Sequence, residues 1–132
     1  MFRLFPNGTV SHSQAIGENE GGLPAGTLED SDRLGRAVST ECGDIDSDGF
    51  NDVLVPAMLS DAGGISGSDL GALYVLFMQA DDTVRTFTRI SQAAGEGLDN
   101  LPVSLTQIGW GIGAIPPRSS GNPVDVLLGT VV

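Results

Sequence analysis

Along the chain, short runs rich in Val, Leu, Ile, Phe and Thr alternate with clusters of Gly, Asp, Asn, Pro and Ser. Runs of four to eight such residues, bounded by turn formers, predict β-strands joined by tight turns. Eight strands are expected, over residues 2–5, 9–16, 35–40, 52–58, 72–78, 83–90, 110–115 and 124–128. Two of these, 52–58 and 72–78, are nearly continuous apolar runs, which marks strands covered on both faces and central in their sheet. Residues 83–90 mix Val84, Phe87 and Ile90 with Arg85 and Arg89, the pattern of an outer strand with one wet face.

Compared with itself, the chain repeats. Thr9-Val10 and Thr83-Val84 each follow a strand end and a polar turn and lie 74 residues apart. Leu34-Gly-Arg-Ala-Val aligns with Trp110-Gly-Ile-Gly-Ala at an offset of 76, and Asp52-Val-Leu-Val aligns with Asp125-Val-Leu-Leu at 73. Three matches in the same order, drifting only as loop lengths drift, are the mark of a structural repeat. Counted from the glycine-containing strand, one unit is a four-stranded meander over 35–40, 52–58, 72–78 and 83–90. The chain then opens on the last two strands of a preceding unit and closes on the first two of a following one. The expected division is half a sheet over 1–27, a complete sheet over 28–92 and a second half over 93–132.

Composition supports the all-β reading: 40% hydrophobic and 5% aromatic residues with 19 glycines suit short strands and many turns. The 132 residues fall within the size of one domain. A net charge of −11, from 17 acidic against 6 basic residues, repels phosphate backbones and anionic membranes, so nucleic acid is excluded as an expected partner. Cys42, the single cysteine, can form no intrachain disulfide and no cysteine-based zinc site, and is expected to be a small buried apolar residue. No apolar run approaches the length of a membrane span, and the opening Met-Phe-Arg-Leu-Phe-Pro is too short for a signal peptide.

An acidic surplus becomes chemistry only where carboxylates cluster at ligand spacing. Asp44, Asp46 and Asp48 stand at alternate positions, followed by Gly49 and Asp52. Calcium takes six to eight oxygen ligands, and an Asp-x-Asp-x-Asp-Gly turn curls the carboxylates of positions 1, 3 and 5 inward. The glycine permits the bend, position 7 (Phe50) offers its backbone carbonyl, and Asp52 at position 9 closes the set. An EF-hand would demand a Glu at position 12 and flanking helices. Val55 stands there instead, in mid-strand. The second repeat has Pro117-Arg-Ser-Ser-Gly-Asn-Pro in place of the acidic loop, so only the first is expected to hold a metal.

The stretch Asp44-Ile-Asp-Ser-Asp-Gly-Phe-Asn-Asp-Val-Leu-Val-Pro-Ala, preceded by Leu34-Gly-Arg-Ala-Val and followed by Gly71-Ala-Leu-Tyr-Val-Leu-Phe, resembles the FG-GAP repeat of integrin α-subunit β-propellers and of many secreted microbial proteins. The family's Phe-Gly stands here as Leu34-Gly35 and its Gly-Ala-Pro as Val55-Pro56-Ala57. The resemblance is strong over 34–90 and weak over the second unit. It implies four-stranded propeller blades with Ca2+ held between the first and second strands of a blade, by Asp44, Asp46, Asp48, the Phe50 carbonyl and Asp52.

The other candidates carry less. His12, the one histidine, lies in a polar strand with no nucleophile setting, and a triad or dyad is not expected. Asn7-Gly8-Thr9 is an N-glycosylation sequon in a turn. Trp110 falls where the repeat expects an aromatic before glycine and is expected to pack in the core. Asp30, Asp32, Asp61 and Asp69 are expected in solvated loops.

The reading is an all-β chain of β-propeller-type blades, non-enzymatic and stabilised by calcium, acting as an extracellular structural or adhesion module. A propeller typically closes with four to eight blades, so the half blades need partners. Self-association, head to tail into a ring or a filament, is one completion. The alternatives are a fragment of a longer integrin-like ectodomain that takes protein or carbohydrate ligands, favoured by the missing leader and the abrupt end at Val131-Val132, and an accessory domain of a secreted hydrolase.

Overall fold

A computed structural model describes residues 1–61, 69–100, 107–117 and 122–130. Among these there is no helix, and every strand pairing is antiparallel. A first hairpin joins β1 (Phe2–Leu4) to β2 (Val10–Ser13). A three-stranded sheet follows in the order β3 (Val53–Ala57), β4 (Ala72–Met78), β5 (Val84–Ile90), and a last hairpin pairs β6 (Ile112–Ile115) with β7 (Asp125–Leu128).

Seven of the eight expected strands are present, most of them trimmed by a residue or more at their ends. The exception is 35–40, which touches β3 only through isolated bridges, Leu34 to Ala57 and Ser39 to Leu54. Five residues separate the bridging positions on this segment and three on β3, so two residues must loop out. Pro56 supplies the physical reason. Leu54 exchanges both its backbone hydrogen bonds with Ser39 at 2.8 and 3.0 Å, so Pro56, two residues on, faces the same neighbour and has no N–H to offer it. Its carbonyl still accepts from the Gly35 amide at 3.1 Å, but the ladder cannot run continuously. Gly35 meets this break at φ +90°, and Val38 is left exposed.

The central sheet buries both faces, as the two continuous apolar runs predict: every residue of β3 is buried, and so is all of β4 except Phe77. Alternation along the pleat sends Val53, Val55 and Ala57 with Ala72, Tyr74, Leu76 and Met78 into one cluster, capped by Leu23 and Val84. Leu54, Leu73 and Val75 point the other way, into a cluster with Cys42 and Ala114. Residues 16–34 cover the first face through Ile16, Leu23, Leu28 and Leu34, and β6 and β7 cover the second through Ile112, Ala114 and Leu128.

The first cover is held very close. The Val84 amide donates to the Gly21 carbonyl at 2.8 Å, and a Cβ on Gly22, which sits at φ +94°, would lie 2.1 Å from the Val84 carbonyl oxygen, so only glycine fits there. Tyr74 donates its hydroxyl to the Thr27 carbonyl at 3.1 Å, pinning the same cover from inside the sheet. β5 has the wet face expected of an outer strand. Cys42 is fully buried, and its Sγ donates to the Asp52 carbonyl at 3.2 Å; burial raises its thiol pKa above the usual range.

Two further expectations fail. Trp110 is 44% exposed rather than packed in the core, because the turn before β6 leaves its ring at the surface, where the Arg36 guanidinium stacks 4.5 Å from its centroid. Asp32 is buried rather than solvated. Its Oδ2 accepts the Glu29 amide at 3.0 Å and its carbonyl accepts the Leu59 amide at 3.1 Å, so it organises the turn that leads into the central sheet.

Candidate metal centre

The acidic loop is closed where it begins and ends: the Asp52 amide donates to the Gly43 carbonyl at 2.8 Å. Between these points the backbone turns through three left-handed positions, Gly43 at φ +68°, Ser47 at +63° and Gly49 at +96°. That curvature needs the glycines and reverses the chain tightly enough to bring alternate side chains together. Asp44 anchors the bend, its two carboxylate oxygens accepting the Asp48 amide at 3.1 Å and the Gly49 amide at 2.8 Å. Asp48 Oδ1 accepts the Phe50 amide at 2.9 Å.

The result is a convergence of charge. Carboxylate oxygens of Asp44, Asp46 and Asp48 all lie within 4.8 Å of one another, with Asp44 half-buried and the other two exposed. Ligands on opposite sides of one calcium shell, each about 2.3–2.6 Å from the ion, stand about 5 Å apart, so this oxygen triad has the span a hard cation requires. The donor set is all oxygen, which suits calcium and disfavours the softer transition metals.

Asp52 is placed differently. It is fully buried at the mouth of β3, where Oδ2 accepts the Ile45 amide at 2.8 Å and Oδ1 accepts the Met78 amide at 3.1 Å. Its carboxylate therefore ties the loop to β4 from within. Burial raises its pKa above the ordinary carboxylate range, the two amides pull it back, and the charges of Asp46 and Asp48 push it up again. The structure thus gathers Asp44, Asp46 and Asp48 as expected, with Phe50 following Gly49 at the loop's exposed end, and sets Asp52 behind them as a buried tie.

One participant escaped the sequence reading. Arg85 Nη2 on β5 reaches both Asp46 Oδ2, through a short hydrogen bond, and Asp48 Oδ2 at 3.3 Å. The register explains how it gets there. Phe77 pairs with Thr86 and Met78 with Val84, so Arg85 is the extra residue of a β-bulge, opposite nothing on β4. The bulge takes Arg85 out of the ladder, and its side chain meets the loop at Asp46 and Asp48. Nothing in the pattern of β5 signals a bulge; an arginine on the wet face of the strand that ends the blade was the only available hint.

The remaining candidates do not join this centre. Asn7 lies at the exposed tip of the β1–β2 turn, its Oδ1 accepting the Thr9 amide at 3.1 Å and the Thr9 hydroxyl at 2.8 Å. His12 Nε2 sits 3.6 Å from Asp82 Oδ2, whose other oxygen is 2.6 Å from Arg3. These contacts fasten the first hairpin to the turn before β5.

Residues 38–76, which hold the acidic loop, β3 and the first five residues of β4, match the family model described as FG-GAP repeat. Repeats of this kind often bind Ca2+, are generally non-catalytic and are typically extracellular. No curated protein matches the chain. Among the described residues, no helix is long and apolar enough to cross a membrane.

Proposed function

We propose, from the premise that residues 38–76 are an FG-GAP repeat, that this chain is a calcium-stabilised, non-enzymatic module of a propeller-type assembly outside the cell. The observation that carries the reading is the convergence of Asp44, Asp46 and Asp48 oxygens within 4.8 Å on a loop that ends directly in a fully buried strand. Asp44, Asp46 and Asp48 would hold the ion, with the Phe50 carbonyl and Asp52 completing the set. The ion would cancel the mutual repulsion of the carboxylates and lock the entry to β3.

The test is a melting curve in calcium against chelator. Extracellular modules bind calcium with a Kd of about 10⁻⁴ to 10⁻³ M, so about 10 mM calcium should stabilise by about 1.4–2.7 kcal/mol. That corresponds to a rise in Tm of roughly 5–10 °C for a chain of this size. Identical curves in calcium and chelator would end the reading.

The hairpins at either end are what support an assembly in this reading. Phe2, Leu4, Phe5 and Val10 are exposed on the first, and Ile115, Val126 and Leu127 on the last. Each hairpin is a two-stranded sheet with an open edge; in this reading each is half of a blade, and the sequence repeat would make the two halves complementary. In this proposal copies join head to tail, β6–β7 of one completing β1–β2 of the next. Light scattering on the purified chain should report oligomers that grow with concentration and that Leu127→Asp disperses. A monomer at every concentration would instead favour the second reading, in which further blades of a longer polypeptide cover these same edges.

A further inference from the structure

We infer that Arg85 is a built-in counter-cation of the acidic loop, which bridges Asp46 and Asp48 and offsets one of their two charges when no metal is bound, and which must leave them before a divalent ion can take their oxygens. The inference rests on the calcium reading above and adds to it how the loop survives without the ion.

Each of the four carboxylates already has a partner within the chain. Asp44 is satisfied by the Asp48 and Gly49 amides, and Asp52 by those of Ile45 and Met78. The two that backbone donors leave with free oxygens, Asp46 and Asp48, are the two that Arg85 reaches. A guanidinium suits this role: it keeps its charge at any working pH, and its fork of donors can bridge two acceptors at once. Its place is structural rather than accidental, because the bulge of β5 removes Arg85 from the ladder and aims it at the loop.

The contact is also breakable. The Arg85 side chain is 44% exposed and the two carboxylates about a quarter, so solvent screens the pairs and the arginine can swing outward at little cost. Ion binding is thus an exchange of one cation for another. The metal-free loop keeps its shape, and the apparent affinity for calcium is weaker than the oxygen set alone would give.

Calorimetric titration of the full chain with calcium chloride at low ionic strength tests this on wild type, Arg85→Gln and Arg85→Lys, with melting of each in chelator. Arg85→Gln should bind calcium about three- to tenfold more tightly than wild type, the worth of two exposed ion pairs, with Arg85→Lys between them. In chelator Arg85→Gln should melt below wild type, and saturating calcium should close that gap. Equal affinities in all three proteins overturn the inference and leave the calcium reading standing, whereas no binding in any of them overturns both. If Arg85→Gln does not fold in chelator, the titration is read on Arg85→Lys, where an affinity equal to wild type overturns the inference.

Discussion

β3 and β7 are nearly the same strand written twice, Asp52-Val-Leu-Val against Asp125-Val-Leu-Leu, and they end in opposite environments. β3 has β4 on one edge, the bridges of Leu34 and Ser39 on the other, and an apolar layer on each face; all five of its residues are buried. Among the described residues β7 pairs with β6 alone, and Asp125, Val126 and Leu127 are exposed. The leading aspartates diverge in the same way, since Asp52 is fully buried under two amides while Asp125 stands in solvent. An apolar run states what a strand needs, and its neighbours decide whether the need is met.

The comparison breaks most visibly at matched leucines. Leu54 is fully buried in the second cluster, and Leu54→Ala should cost about 3 kcal/mol in denaturant unfolding. Its counterpart change Leu127→Ala, at a side chain 59% exposed, should stay within about 0.5 kcal/mol under monomeric conditions. A cost above 1 kcal/mol for Leu127→Ala there would mean that β7 is covered by something other than another copy.

Next come the aspartates. Asp52→Ala strips the Ile45 and Met78 amides of their acceptor and, measured in chelator so that any ion is absent, should cost about 2–3 kcal/mol. Asp125→Ala should be nearly silent by the same measurement. Equal effects would show that Asp52 matters only through a metal and not as the tie between loop and sheet.

The smallest effect concerns the join between the two regions, where Arg89 Nη2 and Nε grip Glu96 at 2.5 and 3.0 Å just after β5. The hydrogen bonds from Arg89 hold the Glu96 pKa below its ordinary value, so its stabilisation is present above the usual carboxylate range and fades as pH falls through the depressed value. Glu96→Gln should therefore cost about 1 kcal/mol at pH 7 and progressively less in acid, read as the convergence of the two unfolding midpoints. Midpoints that stay parallel down to pH 3 would remove the ion pair from the account.

Several features could be read directly from the residues. Turn formers around short runs rich in β-branched and aromatic residues mark seven of the strands, because such side chains favour the extended backbone and the turn formers end each run. The double burial of β3 and β4 follows from their unbroken hydrophobicity, and the wet face of β5 from its arginines. The convergence of Asp44, Asp46 and Asp48 is equally local, since Gly49 and the alternate spacing act within a few residues.

Other features depend on partners remote in sequence. Pro56 belongs to an interior strand, yet its missing donor is what keeps residues 35–40 from becoming one, and that requires knowing which neighbour it faces. Trp110 is carried to the surface by the turn it occupies, and Asp32 is carried inward by contacts at Glu29 and Leu59. Arg85 meets Asp46 across 39 positions of chain through one displaced residue in the β4–β5 register. Sequence alone settled seven of the strands and the acidic bend, because each arises from forces among near neighbours. The folded arrangement alone decided which apolar faces were covered and which cation met the carboxylates, because burial and charge pairing belong to residues that only packing brings side by side.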